Sequence, residues 1–122
     1  MIVTELLKIQ NQLKVYHWQT KGKGSYGQHK ALDEIHATFV DLIDEFIEVF
    51  MGKYGRIKGP YKIDLNDFES INTINEFVDK SISYFINDLP NKLNKNEDTD
   101  LLNIKDEMLA ALNKLKYLLT LE

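Results

Sequence analysis

Apolar residues recur with the period of an α-helix in four separate stretches of this chain, and nowhere do they alternate for long with the period of a strand. No other feature restricts the fold as much. In the first stretch Ile2, Leu6, Ile9, Leu13 and Tyr16 fall on one stripe, which predicts α1 over about residues 2–20. Glycines at 22, 24 and 27 then break the pattern. The stripe Leu32, Ile35, Phe39, Leu42, Ile43, Phe46 and Phe50 predicts α2 over about 28–51. A connection marked by Gly52, Gly55, Gly59 and Pro60 follows, running to about Ser70. Thr73 followed by Glu76 is a capping-box signature, so α3 is expected over about 74–89, with Phe77, Val78, Ser81, Tyr84 and Phe85 inward and Pro90 ending or kinking it. Leu101, Ile104, Met108, Ala111, Leu115 and Leu118 form the seam of α4, at about 100–120. Four amphipathic helices with a short first turn and a long second connection predict an all-α four-helix bundle, with residues 1–122 as a single domain.

Composition narrows the chemistry. The chain has 122 residues, long enough for a core without covalent staples. It has no cysteine, which excludes disulfides, thiolate catalysis and cysteine-ligated zinc or iron–sulfur clusters. No apolar run approaches the roughly 18 residues that span a bilayer, and the first residues lack the features of a signal peptide. A cytoplasmic protein with no membrane partner is the expectation. The net charge of −4 and the scattered lysines, of which Lys53, Arg56 and Lys58 form one modest cluster, offer no cationic face to a nucleic acid. Direct DNA binding is not expected.

The residues able to do metal chemistry concentrate on α1 and α2. At about 100° per residue, Asp33, Asp44 and Glu48 lie within roughly 100° of His29 around α2, away from the apolar stripe. Their arc also carries Ala37, Val40 and Ile47, which is unusual for a purely solvated face. His29 and Asp33 are one turn apart, as are Asp44 and Glu48, and either pair can share a metal. Between Asp33 and Asp44, however, the helix rises roughly 16 Å. One chain cannot bring both pairs to one ion. A two-fold axis near Ala37 and Val40 would lay α2 against its copy and join each His29–Asp33 pair to the partner's acidic pair, giving two equivalent sites per isologous dimer. His17, just before the α1–α2 turn, completes a set of two imidazoles and three carboxylates suited to iron, manganese or zinc. Spacing alone leaves a second reading open, in which the histidines are hydrogen-bonded and the carboxylates line a solvated face. His36 points roughly 60° away from Asp33 and is taken as a surface or interface residue. Trp18 and Tyr26, flanking the site, are expected to be packing residues.

His17-Trp18, Lys21-Gly22, His29, Asp33, Asp44 and Glu48 resemble the ferroxidase motif of Dps-type miniferritins. The intervals of twelve, four, eleven and four residues match without a gap over α1 and α2. The resemblance implies a ferritin-like bundle, and a dinuclear iron site with His17, His29 and Asp33 from one chain and Asp44 and Glu48 from its partner. It implies Fe(II) oxidation, preferentially with hydrogen peroxide, and storage of ferric oxide in a twelve-subunit shell. The acidic arc Glu34, Asp41 and Glu45 would then face a mineral cavity or remain a solvated face. The chain is shorter than typical members and carries no basic tail, a size that also resembles ferritin-like proteins of some large viruses and phages. For those the compartment would be the host cytoplasm. The alternative function is a metal-stabilised structural or interaction protein without turnover.

Overall fold

A computed structural model describes residues 1–121, which form four α-helices and no strand. The helices are α1 (Ile2–Gln19), α2 (Ser25–Tyr54), α3 (Ile71–Ser83) and α4 (Thr99–Leu118). The all-α four-helix bundle expected from periodicity is the observed fold.

Four helix boundaries differ from expectation, each for a local reason. Gly24, at φ 79, supplies the left-handed residue that reverses the chain, so α2 starts at Ser25 and takes Gly27 into its first turn. At the other end Gly52 does not stop the helix; Gly55, at φ 90, does. The cap of α3 is Ser70, not Thr73. Its N–H donates to the Thr73 hydroxyl at 3.1 Å, so Thr73 serves as the third residue of the helix and α3 starts at Ile71. After Ser83 the helix widens into a π turn, Tyr84–Asp88, and tightens into a 3-10 turn, Leu89–Lys92. Pro90 lacks an N–H and its ring would crowd the carbonyl four residues back. Widening relieves that conflict, and Leu89 N–H bonds Tyr84 O instead.

Side-chain contacts fix the topology. The turn at 20–24 makes α2 antiparallel to α1, and the long link then travels back beside α1. Asn66 meets Gln12, and Asp67 and Phe68 meet Gln19. Hence α3 begins beside Lys21 and Gly22 and runs antiparallel to α1, with the Tyr16 and Phe77 rings edge-to-face at 5.6 Å. The start of α4 lies at the end of α2, through Tyr54–Asp98 and Lys53–Asp100, and its last residues return to Ala31. Each helix thus borders two antiparallel neighbours, in the cyclic order α1, α2, α4, α3. Ferritin-like bundles share this single long crossover, and connectivity by itself carries no function.

The core follows the stripes. Leu6, Leu13, Leu32, Phe39, Phe85, Leu101, Met108 and Leu115 are fully buried, joined by Ile74 and Leu112, which the stripes omitted. Gln12, His17, Ser81 and Asp98 are polar residues buried with them. Gln12 donates to Asn66 O at 2.8 Å and accepts from Asn66 N–H at 2.7 Å, so its amide pairs with the link as a neighbouring strand would. Asp98 accepts from the Tyr54 hydroxyl at 2.5 Å and from Asn94 N–H at 2.8 Å, with the Lys53 ammonium 3.7 Å away.

The Tyr54 bond, then the Asn94 amide, holds the Asp98 carboxyl below its ordinary value, while Asp98 pushes the Tyr54 phenol up to about 12. A depressed carboxyl stabilises the fold above its unfolded value and loses that contribution as pH falls through the folded one. Acid denaturation of the Asp98→Asn variant should therefore depend less steeply on pH below about 3.9 than that of the wild type. Circular dichroism across an acid titration measures both curves. Phe39→Ala, which empties the contact with Phe85 in the core, should lower unfolding free energy by about 3–5 kcal/mol in a urea titration.

Candidate metal centre

His17 lies in the last turn of α1 and His29 in the second turn of α2. Their rings stack, with centroids 3.8 Å apart and planes 22° from parallel. The His17 Nδ1 lies 2.7 Å from His29 O, and the His29 Nδ1 lies 2.7 Å from His17 O. A carbonyl can only accept, so each Nδ1 carries the hydrogen and donates it. In the neutral rings the lone pair is therefore on Nε2, the arrangement in which a backbone carbonyl orients a metal-binding histidine. The same bonds have a structural use, because His17 O is one of the carbonyls that the end of α1 leaves without a helical partner. His17 is 8% exposed and His29 half-buried.

Asp33, one turn after His29, brings its carboxylate 3.8 Å from His17 Nε2. Lys14, one turn before His17, places its ammonium 3.3 Å from the same oxygen. Its hydrogen bond is the main reason the Asp33 carboxyl sits below the ordinary range, with the His17 and His29 rings adding smaller attractions when protonated. Lys14 also lies 5.9 Å from the Trp18 ring centroid. His36 is half-buried one turn beyond Asp33, and burial, then the Lys14 charge, holds its pKa down. Sequence alone places His36 as a surface or interface residue and does not single out Lys14. Their i, i+3 positions relative to His17 and Asp33 were the available signal.

The remaining candidates lie elsewhere in the chain. Asp44 and Glu48 are exposed on the same face of α2, roughly 16 Å and more along the axis from Asp33. Among the described residues no three His, Asp or Glu side chains of one chain converge closely enough to hold a metal ion. Between the two groups of α2 lie exposed Ala37 and Val40 and half-buried Ile47. Trp18 and Tyr26 do not pack inside the chain, as had been expected: they are 68% and 72% exposed and stand beside the histidines as open aromatic surface. Of the acidic arc, Glu34 is tied to Lys114 on α4 at 2.8 Å, while Asp41 and Glu45 remain solvated. No helix is long and apolar enough to cross a membrane among the described residues.

Comparison with known proteins revises the resemblance drawn from the motif. The family model that matches, over residues 17–119, is described as a family of unknown function, DUF5856. A relative from Enterobacteria phage T4, an uncharacterized 14.6 kDa protein of the mobD-ri intergenic region, is 32% identical over 108 residues, covering 87% of this chain and 75% of its own length. No solved structure matches. Neither relationship is to a Dps-type or other ferritin family, so the miniferritin assignment is withdrawn. Five matching positions on two helices reproduce a spacing, and helical spacing is shared by unrelated proteins.

Lys14→Gln should move the Asp33 carboxyl upward, toward the ordinary aspartate value, because it removes the largest stabiliser of the ionised form. Carbon-detected NMR of the side-chain carboxyl against pH measures this directly. An unchanged titration would show that the ammonium does not rest on Asp33 in solution.

Proposed function

The chain belongs to the DUF5856 family, whose description names no activity, and we propose that it binds divalent iron and oxidises it at sites completed by two copies of the chain. The observation that carries this reading is the histidine pair, with each Nδ1–H fixed on a carbonyl, and with the His17 Nε2 lone pair beside the Asp33 carboxylate. Nitrogen and oxygen donors of this kind suit iron, and also manganese or zinc. His17, His29 and Asp33 would supply one half of the site, and Asp44 and Glu48 of the partner subunit the other. The exposed Ala37 and Val40 support a two-fold contact along α2, and exposed Trp18 and Tyr26 offer further area beside it. Whether assembly stops at a dimer or proceeds to a shell does not alter the site.

As substrates, two Fe(II) ions each give one electron to hydrogen peroxide; its O–O bond breaks, and two protons taken up yield two waters. Within this reading the chain's residues do three things. The carbonyl-anchored imidazoles hold their Nε2 atoms in place. The carboxylates compensate the growing positive charge of the oxidised metal. Lys14 competes for Asp33, so metal entry requires its ammonium to move aside.

A second reading is favoured by the same bonds. They join the end of α1 to the start of α2 without any metal, so a zinc-stabilised dimer without turnover is the alternative. It predicts a higher melting temperature with zinc and no oxidation of Fe(II).

Subunit mixing separates the proposals. Variants His29→Ala/Asp33→Ala and Asp44→Ala/Glu48→Ala should each lose Fe(II) oxidation when followed by absorbance after peroxide addition. Unfolded and refolded together, they should recover about a quarter of the wild-type rate. Half of the dimers are then mixed, and each mixed dimer has one intact site of two. Recovery of nothing, in mixed dimers verified by native mass spectrometry, would end the shared-site reading.

A further inference from the structure

Residues 6–32 contain five lysines and no Asp or Glu, in a chain whose net charge is −4. Along the sequence these lysines look scattered, but the fold returns four of them to one end of the bundle. Lys14 and Trp18 lie in the last two turns of α1, Lys21 and Lys23 in the bend that follows, and Tyr26 and Lys30 at the start of α2. Each aromatic ring has an ammonium over it, Lys14 at 5.9 Å from the Trp18 centroid and Lys30 at 5.5 Å from that of Tyr26. Lys14 is also engaged by Asp33. Lys21, Lys23 and Lys30 are exposed, and among the described residues no carboxylate lies within ion-pair distance of them. The end of α4 brings apolar surface to the same place, with Leu118 and Leu121 against Gly27 and Lys30. Trp18, Tyr26, Tyr117 and Leu121 thus give this end of the molecule four exposed large apolar side chains.

We propose that this end of the bundle rests on an anionic lipid surface, with Lys21, Lys23 and Lys30 against the headgroups and the Trp18 and Tyr26 rings at the boundary with the acyl chains. Charge complementarity is the first argument, because unpaired ammonium groups gain from the negative surface potential of such a leaflet. Amphipathic rings are the second. Indole and phenol settle where one side of the ring is apolar and the other wet. A nucleic acid fits less well. A strand needs a cationic track several nucleotides long, and this patch is short and bordered by carboxylates. Glu69 shares a groove with Lys21 and Lys23, and Asp33 and Glu34 share one with Lys30. A headgroup layer asks for no track, only for a patch. No described helix is long and apolar enough to cross a bilayer, and resting on one requires no such helix. The surface does not depend on any metal, and the two-fold contact at Ala37 and Val40 lies further along α2.

The test is co-sedimentation of the full-length, metal-free chain with vesicles of phosphatidylcholine, alone or mixed with phosphatidylserine. Trp18 is the chain's one tryptophan, so its emission reports on this surface directly. Expected are pelleting only with the phosphatidylserine vesicles, a blue shift of Trp18 emission on binding, and loss of both as salt is raised. Lys21→Glu with Lys23→Glu should weaken binding at least about tenfold, since each lysine near a charged leaflet contributes about fivefold. Lys58→Glu with Lys62→Glu makes the same change of net charge elsewhere and should leave pelleting unchanged. Trp18→Ser with Tyr26→Ser should weaken binding too, and because both rings are exposed that variant should melt as the wild type does. Pelleting with neither vesicle, or equally with both, overturns the proposal. So does an equal loss in the two charge variants, or emission that shifts with protein concentration alone, the mark of a second copy on the patch. Tighter binding of a thymidine oligonucleotide than of the vesicles assigns the surface to nucleic acid and equally overturns it.

Discussion

Two imidazole-to-carbonyl hydrogen bonds determine how the first two helices meet, and the rest of the bundle is placed against that pair. His17 and His29 each donate to the other's main chain, so the bonds tie backbone to backbone through two stacked rings. Exchanging either side chain would remove one of the two bonds and the ring stack, and leave the other bond in place. From this fixed corner α2 extends for 30 residues, and α1 and α4 both pack along it. The third helix is then positioned from elsewhere, by the link that runs along α1.

The two sides of α1 are consequently unlike. Toward α2 and α4 the interior is dry, with Leu6, Leu13, Leu32 and Phe39 shut off from solvent. Toward α3 it is polar and partly hollow, and ordering there comes from amide pairing and aromatic edges more than from apolar area. Hydrophobic burial scales with apolar contact area, so the α1–α2–α4 side contributes most of the driving force for folding. The α3 side is where the chain tolerates open space.

The helices were legible because burial imposes period 3.6 on each stripe, and stripes are local. The stripe of α4 needs no knowledge of α2 to be seen. Gln12 shows the limit of that logic. It occupies a position between Ile9 and Tyr16 that the core claims, and its partner lies 54 residues away, in a link with no periodicity at all. The metal-type residues were equally local, on two adjacent helices across one short turn, so their proximity could be anticipated. Which nitrogen of each ring is free could not, since it depends on a carbonyl of the opposite helix. Trp18 and Tyr26 ran the other way: aromatic character suggested burial, whereas exposure is decided by what lies opposite, and the ammonium groups of Lys14 and Lys30 over the two rings leave them largely open. Ancestry is a further quantity that spacing does not encode. The turn-by-turn intervals of His29, Asp33, Asp44 and Glu48 follow from helix geometry, and the family relationship rests on the whole stretch 17–119.

Gln12 and Gln19 hold the link almost entirely by its main chain, the one side-chain contact being with Asp67. A clasp of that kind is indifferent to the identity of the side chains it holds. The segment between Gly55 and Leu65 can therefore diverge in sequence while α3 keeps its station, much as a ribbon can be dyed without moving the pins that hold it. Selection on the position of α3 would act on two glutamines of a different helix, and that of the link would show little of it.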